Sequence, residues 1–267
     1  MDPALANSLA RSVRAADPDR YFSALFAPAG IRPHLFALYA FNHEVARIAE
    51  TVRDPMLGAI RLEWWRETVE GAARGAPRNH EVARGLAALF TAHRLEPSLL
   101  EGIIAARGFD ANAERFADFA ALEAHLDATG GALMRAAIAV TGGDPAVARP
   151  AALAYGLAGL LRSLPFHNNR HKLYLPLDLL AALRITPEEF FTAKDDPRPA
   201  SAIRQTALRA RDHFLASRNG PRPRQALPAI LPAALVPVYL RRLSKTGDVS
   251  IHRRQMALLT AAMKKRL

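Results

Sequence analysis

Apolar residues along this chain recur at intervals of three and four rather than two, over stretches long enough for helices. The best-marked stretch begins near Arg32 and runs past Glu50, where Leu35, Leu38, Phe41, Val45 and Ile48 form one stripe at helical spacing. The same periodicity predicts helices over about 54–74, 79–93, 95–107, 117–140 and 144–164. Short Gly/Pro stretches at 75–77, 142–145 and 194–199 separate packed helices and are too short to link domains. The expectation is an all-α protein with a single domain over 1–267. One internal boundary stands out, at Asn219, after which a basic, proline-spaced C-terminal segment begins.

Composition narrows the chemistry. Half of the 267 residues are apolar, enough for a sizeable core, and there is no cysteine. That excludes disulfide scaffolds, thiolate zinc sites, iron–sulfur ligation and a cysteine nucleophile. No apolar run reaches the length of a membrane span and the first residues lack the apolar core of a secretion signal, so the expected place is the cytoplasm. The formal charge of +11 is unevenly placed. Residues 1–200 hold 22 Lys/Arg against 23 Asp/Glu, whereas residues 201–267 hold 14 against 2, a net of +12. Such a tail suits either a solvated cationic face or an anionic partner. Residues 249–266 read as an amphipathic helix with basic ends, which fits a peripheral place on the inner face of a membrane or the final helix of a bundle. Nucleic acid is disfavoured, because stacking platforms need aromatics and only 7% of the chain is aromatic.

Phosphate loops, nucleophile elbows, zinc-protease motifs and dinucleotide fingerprints are all absent from the sequence. The densest polar cluster follows the apolar run Tyr155–Leu161: Arg162, Ser163, His167, Arg170, His171 and Lys172, with no carboxylate until Asp178. Its composition is that of an anion site, or of a polar turn in water. Pro165 predicts that the preceding helix kinks or stops near Leu161. His167 and His171 have the spacing of a metal pair on a helix, but no nearby acid completes a ligand set. Trp64 and Trp65, being adjacent, cannot share a helix face, so one belongs to the core and the other to an interface.

Four blocks in order, DRYFSALFAPAGIRPHLFALYAFNHEVARIAE, IRLEWWRETVEG, LEAHLDATGGALMRAA and GLLRSLPFHNNRHKLYLPLDLL, resemble the landmarks of the squalene/phytoene synthase family over residues 19 to about 190. The resemblance implies an isoprenoid synthase-type helical bundle around a central cavity, in which two aspartate-rich helices hold magnesium ions on prenyl diphosphates for head-to-head condensation. The family's first motif places paired aspartates where this chain has Ala46 and Arg47, leaving Glu50 as the one acid. Glu44 is six residues away and, at about 100° per residue, points elsewhere. In the second motif Ser163, Phe166 and His167 stand at the acidic positions, while Arg162 matches.

The resemblance thus implies a cavity that binds an anion without ionising it. Tyr39, Asn42, His43, Arg47, Glu50, Arg162, Ser163, His167, Arg170 and Tyr174 are its expected lining, with Arg47, Arg162, His167 and Arg170 supplying the positive charge that magnesium would. No metal and no cofactor is expected; magnesium belongs only to the alternative of an active prenyl-diphosphate transferase. A degenerate branch of the family, typified by a mitochondrial complex I assembly factor, shares the stretches Phe41–Glu44 and Arg162–His167. Its likeness implies a non-catalytic protein that holds an anionic lipid or prenyl diphosphate and assists a respiratory complex subunit. A nucleic-acid-binding module is the weaker alternative.

Overall fold

In the computed structural model, residues 1–52, 54–111, 114–192, 196–221, 223–243 and 249–264 are described. The helices are α1 (Pro3–Ala16), α2 (Pro18–Ala24), α3 (Arg32–Ala46), α4 (Ile48–Thr51), α5 (Pro55–Ala73), α6 (Glu81–Ala92), α7 (Pro97–Ala111) and α8 (Phe119–Leu126). They continue as α9 (Ala132–Val140), α10 (Ala148–Asn168), α11 (Leu177–Ala182), α12 (Pro187–Thr192), α13 (Pro197–Asn219), α14 (Leu227–Ile230), α15 (Val236–Leu240) and α16 (Ile251–Lys264). There is no strand among the described residues. The expected helices of the central region are all present, with boundaries moved by a few residues.

Helix starts follow one local rule. Asp2-Pro3, Asp17-Pro18, Asp54-Pro55, Asp144-Pro145 and Asp196-Pro197 each open a helix or a 3-10 turn, with the aspartate oxygen accepting a backbone N–H of the first turn. Proline needs no amide partner at that place and its φ is already helical, and such a cap contributes about 1 kcal/mol. Two stretches read from the sequence as breakers, 142–145 and 194–199, thus contain starting signals, the second for the 23-residue α13.

Helix α10 runs through the molecule and packs along α13. Its first half joins the larger apolar core, with α1, α3, α5, α6, α7 and α9, through Ala151, Ala154 and Ala158; its second half joins a smaller core through Leu157, Leu161 and Leu164. Where α6 crosses α1 and α3, Gly85 permits the approach: a Cβ there would lie 2.8 Å from Leu9 Cδ1 and 3.0 Å from Ala37 Cβ. Trp65 is core, edge-on to Phe41, and Trp64 is only partly covered, the division that adjacency demanded.

Two sequence expectations are corrected. Helix α10 does not stop near Leu161 but continues through Pro165 to Asn168. The lost amide bond and the ring cost a helix about 3 kcal/mol, and the buried side chains of Leu157, Leu161 and Leu164 in the turns before it hold it in place. The turn that follows the helix closes at His171, whose φ of 52° is the left-handed conformation usually left to glycine. Second, the long helix from Arg32 is interrupted at Arg47, so that α4 is a separate turn. The segment 117–140 is likewise not uniform: a π-helical stretch, Asp127–Gly131, separates α8 from α9.

Candidate functional site

A cavity of about 340 Å³ lies between α2, α3–α4, α7, the π-helical stretch and α10. Its α10 wall is set by helical periodicity: Gly156, Gly159, Ser163 and Phe166 recur at three and four. Gly159 leaves the space beside it open, and Gly156 admits the Leu126 side chain, which a Cβ would meet at 3.2 Å. On the facing helix Asn42, Ala46, Ala49 and Glu50 form the corresponding stripe. The π-helical stretch contributes Thr129 and Gly130, consistent with the tendency of such insertions to occur at functional sites.

Of the expected residues, Asn42, Glu50, Arg162, Ser163, His167, Arg170 and Tyr174 line this cavity. Arg47 does not. One position beyond Ala46 turns it by about 100°, to an outer pocket where its Nη1 lies 3.5 Å from Glu44 Oε1. His43 is half-buried outside the cavity lining, and Tyr39 sits behind it, buried, with the Arg20 guanidinium 5.9 Å from its ring. His167 lines the cavity but is not a cation. Burial first, then the charges of Lys172 and Arg170, push its imidazole down to about 4, so it is neutral at physiological pH. Its ring lies tilted against Tyr174, centroids 4.6 Å apart, whereas His171 turns to Phe191, which separates the supposed metal pair.

The sequence reading missed most of the charge. Arg20, Arg107 and Arg254 join Arg162, Arg170 and Lys172, and Asp17, Asp19 and Asp110 join Glu50. Asp19, 2% exposed, is the densest junction. It accepts hydrogen bonds from Tyr155 Oη (3.0 Å), from Tyr239 Oη and from Arg254 Nη1 (3.0 Å), with Arg162 Nη1 at 3.5 Å. Asp17 caps α2 and takes the buried Arg20 guanidinium at 2.6 Å. Asp110 pairs with Arg107 Nη1 at 2.9 Å and has His125 Nε2 at 3.3 Å. Burial alone would raise the Asp110 carboxyl, but contact with His125 and the Arg107 charge hold it down at about 2. Burial and that carboxylate raise the Tyr174 phenol, so it stays protonated.

Two cations close the mouth. Arg170 Nη1 donates to the Glu50 carbonyl at 3.0 Å, and Lys172 Nζ to the carbonyls of Ala49 (2.9 Å) and Asp110 (3.3 Å). The turn after α10 therefore grips the carbonyl end of α4, where a helix dipole favours positive charge. Asn42 Oδ1 and His167 Nδ1 are buried without a hydrogen-bond partner in the protein, two polar atoms of the lining that a bound molecule can satisfy. Cations and neutral donors suit an anionic headgroup, with the apolar side chains Leu122, Leu126 and Leu160 beside it.

The family model for squalene/phytoene synthase matches residues 13–260. The chain belongs to the squalene/phytoene synthase family. Relatives include "NADH dehydrogenase (ubiquinone) complex I, assembly factor 6" of Bos taurus, 27% identical over 246 residues that cover 90% of this chain and 74% of that one. In three dimensions the chain is similar to a dehydrosqualene synthase solved with a ligand (TM-score 0.80, 14% identity, covering 98% of this chain and 96% of that one). It is also similar to the squalene synthase HpnC from Alicyclobacillus acidocaldarius (TM-score 0.77, 18% identity, 95% of each chain). The fold of this family member is thus the isoprenoid synthase-type bundle that its sequence blocks implied. No described helix is long and apolar enough to cross a membrane.

Proposed function

We propose that this chain is a non-catalytic member of its family, that it holds an anionic isoprenoid or lipid headgroup in the cavity, and that it assists assembly of a respiratory NADH dehydrogenase complex. The observation that carries the reading is the state of the carboxylates. Asp17, Asp19 and Asp110 each pair with an arginine. Among the described residues no group of three or more His, Asp or Glu gathers closely enough to hold a metal ion. Magnesium needs several unengaged oxygen ligands, so this donor set does not fit a magnesium cluster. Without multivalent stabilisation of a leaving diphosphate the barrier rises by several kcal/mol, about a thousandfold or more in rate. The assembly role is supported by the mammalian relative's name.

Two measurements test this. In a deletion strain, assembled NADH dehydrogenase on native gels should fall and return on complementation; unchanged levels would remove the assembly role. Purified protein given farnesyl diphosphate and Mg²⁺ should release no pyrophosphate above background. The competing reading, an active prenyl transferase, has Glu50 in its favour, the one cavity carboxylate without an arginine partner among the described ion pairs. Sustained release abolished by Glu50→Ala would reinstate it.

A peripheral membrane position belongs to the same proposal. Helix α16 packs Leu258 and Ala261 inward, and its outer face carries exposed Met256, Leu259 and Met263 beside Arg253 and Lys264. Leu259 and Met263 would belong to the core of a fully buried final helix, and they face out. Such a face suits the inner, anionic leaflet. Flotation with vesicles containing anionic lipid should exceed that with neutral vesicles and should fall when Met256 and Met263 become serine; equal flotation with both lipids contradicts the membrane role.

A further inference from the structure

Helix α5 begins with two turns that almost nothing covers. Between Pro55 and Arg61 only Gly58 is buried, and Met56, Leu57 and Ile60 are 72%, 53% and 57% exposed. At about 100° per residue, Met56, Ile60, Trp64 and Leu57 fall within a quarter to a third of the helix circumference. They form a continuous apolar ridge that ends on the partly covered Trp64, the tryptophan left over when Trp65 entered the core. Ridges of this size in the open mark contact sites.

Beside the ridge is an outer pocket of about 310 Å³, on the side of α3–α4 away from the cavity stripe. Its walls include Trp64, His80, Thr51 and two guanidinium groups, Arg47 and Arg61. Arg47 reaches Glu44 only at 3.5 Å, and Arg61 Nη1 reaches Thr51 Oγ1 at 3.4 Å. Both are long contacts, and a carboxylate arriving between the two arginines would be held more strongly by paired charge-assisted hydrogen bonds.

The geometry points to a docking site for an amphipathic helix of a partner protein, with apolar residues laid on the Met56–Leu57–Ile60–Trp64 ridge and an acidic side chain entering the Arg47–Arg61 pocket. Charge decides between occupants. Asp54 and the ion pairs Glu63–Arg66 and Glu67–Arg78 border the ridge on one side and the Arg47–Arg61 pocket on the other. A peptide can answer this rim of mixed sign charge for charge, and a uniformly anionic bilayer cannot. The ridge spans just over two turns, roughly 12 Å at 1.5 Å per residue, the scale of the i, i+3/i+4, i+7 anchors by which grooves read helices. The site is separate from the cavity and does not require the anion reading.

The experiment places a photo-crosslinking amino acid at Leu57 of the full chain in cells, with exposed Leu208 on α13 as the control position. Adducts are mapped by mass spectrometry. The expected result is one discrete protein segment with apolar residues at helical spacing and at least one Asp or Glu, absent from the control. Its yield should fall about tenfold or more when Arg47→Glu and Arg61→Glu are combined, as loss of an interface anchor does. A synthetic peptide of the mapped segment should bind the purified protein, and bind more weakly after Ile60→Ser, a substitution on an exposed surface that leaves the thermal midpoint unchanged. Adducts to lipid alone, to a second copy of this chain or to scattered segments, no adduct, or a yield unaffected by charge reversal would each overturn the docking site. Assembly levels in the deletion strain bear on the function proposed above and not on this result.

Discussion

Replacing Asp19 with alanine is expected to cost about 3–5 kcal/mol of folding stability, the range seen when one partner of a buried ion pair is removed. The carboxylate receives Arg254, Tyr155 and Tyr239 and faces Arg162. Its removal leaves two guanidinium groups near one another without the negative charge between them, and two phenols without an acceptor. Asp19→Asn keeps the shape and one acceptor oxygen but loses the charge, so it should fall between wild type and alanine. Chemical denaturation reads both, as a lower midpoint at an unchanged slope. An alanine variant within about 0.5 kcal/mol of wild type, the scale of an ordinary surface substitution, would mean that Asp19 does not organise these helices.

Asp110 gives the second large effect, and it depends on pH. Its carboxyl lies at about 2 in the folded protein against 3.8 as the ordinary value. A carboxyl lowered on folding adds stability that is fully present above 3.8 and disappears as the pH falls through 2. The shift corresponds to about 2 kcal/mol. Asp110→Asn should therefore be less stable than wild type by roughly that amount at pH 7, and the gap should narrow steadily below pH 4 as the wild-type carboxylate is protonated. Denaturation midpoints at pH 7, 4 and 2.5 check this; a gap that stays constant would place the cost in packing and not in charge.

The architecture was largely legible in the sequence because helical periodicity and four ordered motif blocks act together. What escaped was local at both ends of the chain. Pro3, Pro18 and Pro197 follow aspartates, and an Asp-Pro pair starts a helix as readily as it breaks one. Pro165 was the opposite case, a breaker overruled by the leucines that packing holds in the turns before it. For the cavity, the α10 stripe was readable from Arg162 onward, but Arg47 was assigned by alignment when one helical step had turned it outward. Asp110 and Arg254 lie in none of the four motif blocks, and Asp19 opens the first block without any sign that it lines the cavity. They come from helices far apart in the chain, and only the packing of α2, α7 and α16 brings them to one chamber. The expected cation-rich lining is instead a set of neutralised pairs with a few groups open.

The link between Asp19 and Arg254 spans 235 residues. At bacterial or eukaryotic elongation speeds that interval lasts on the order of tens of seconds. Over that interval Asp19 lacks its Arg254 partner, although Tyr155 and Arg162 of α10 are made well before it. The Asp19 junction is therefore completed only with the last helix, and until Arg254 is made the nascent chamber stays open on that side to chaperones or to an early ligand.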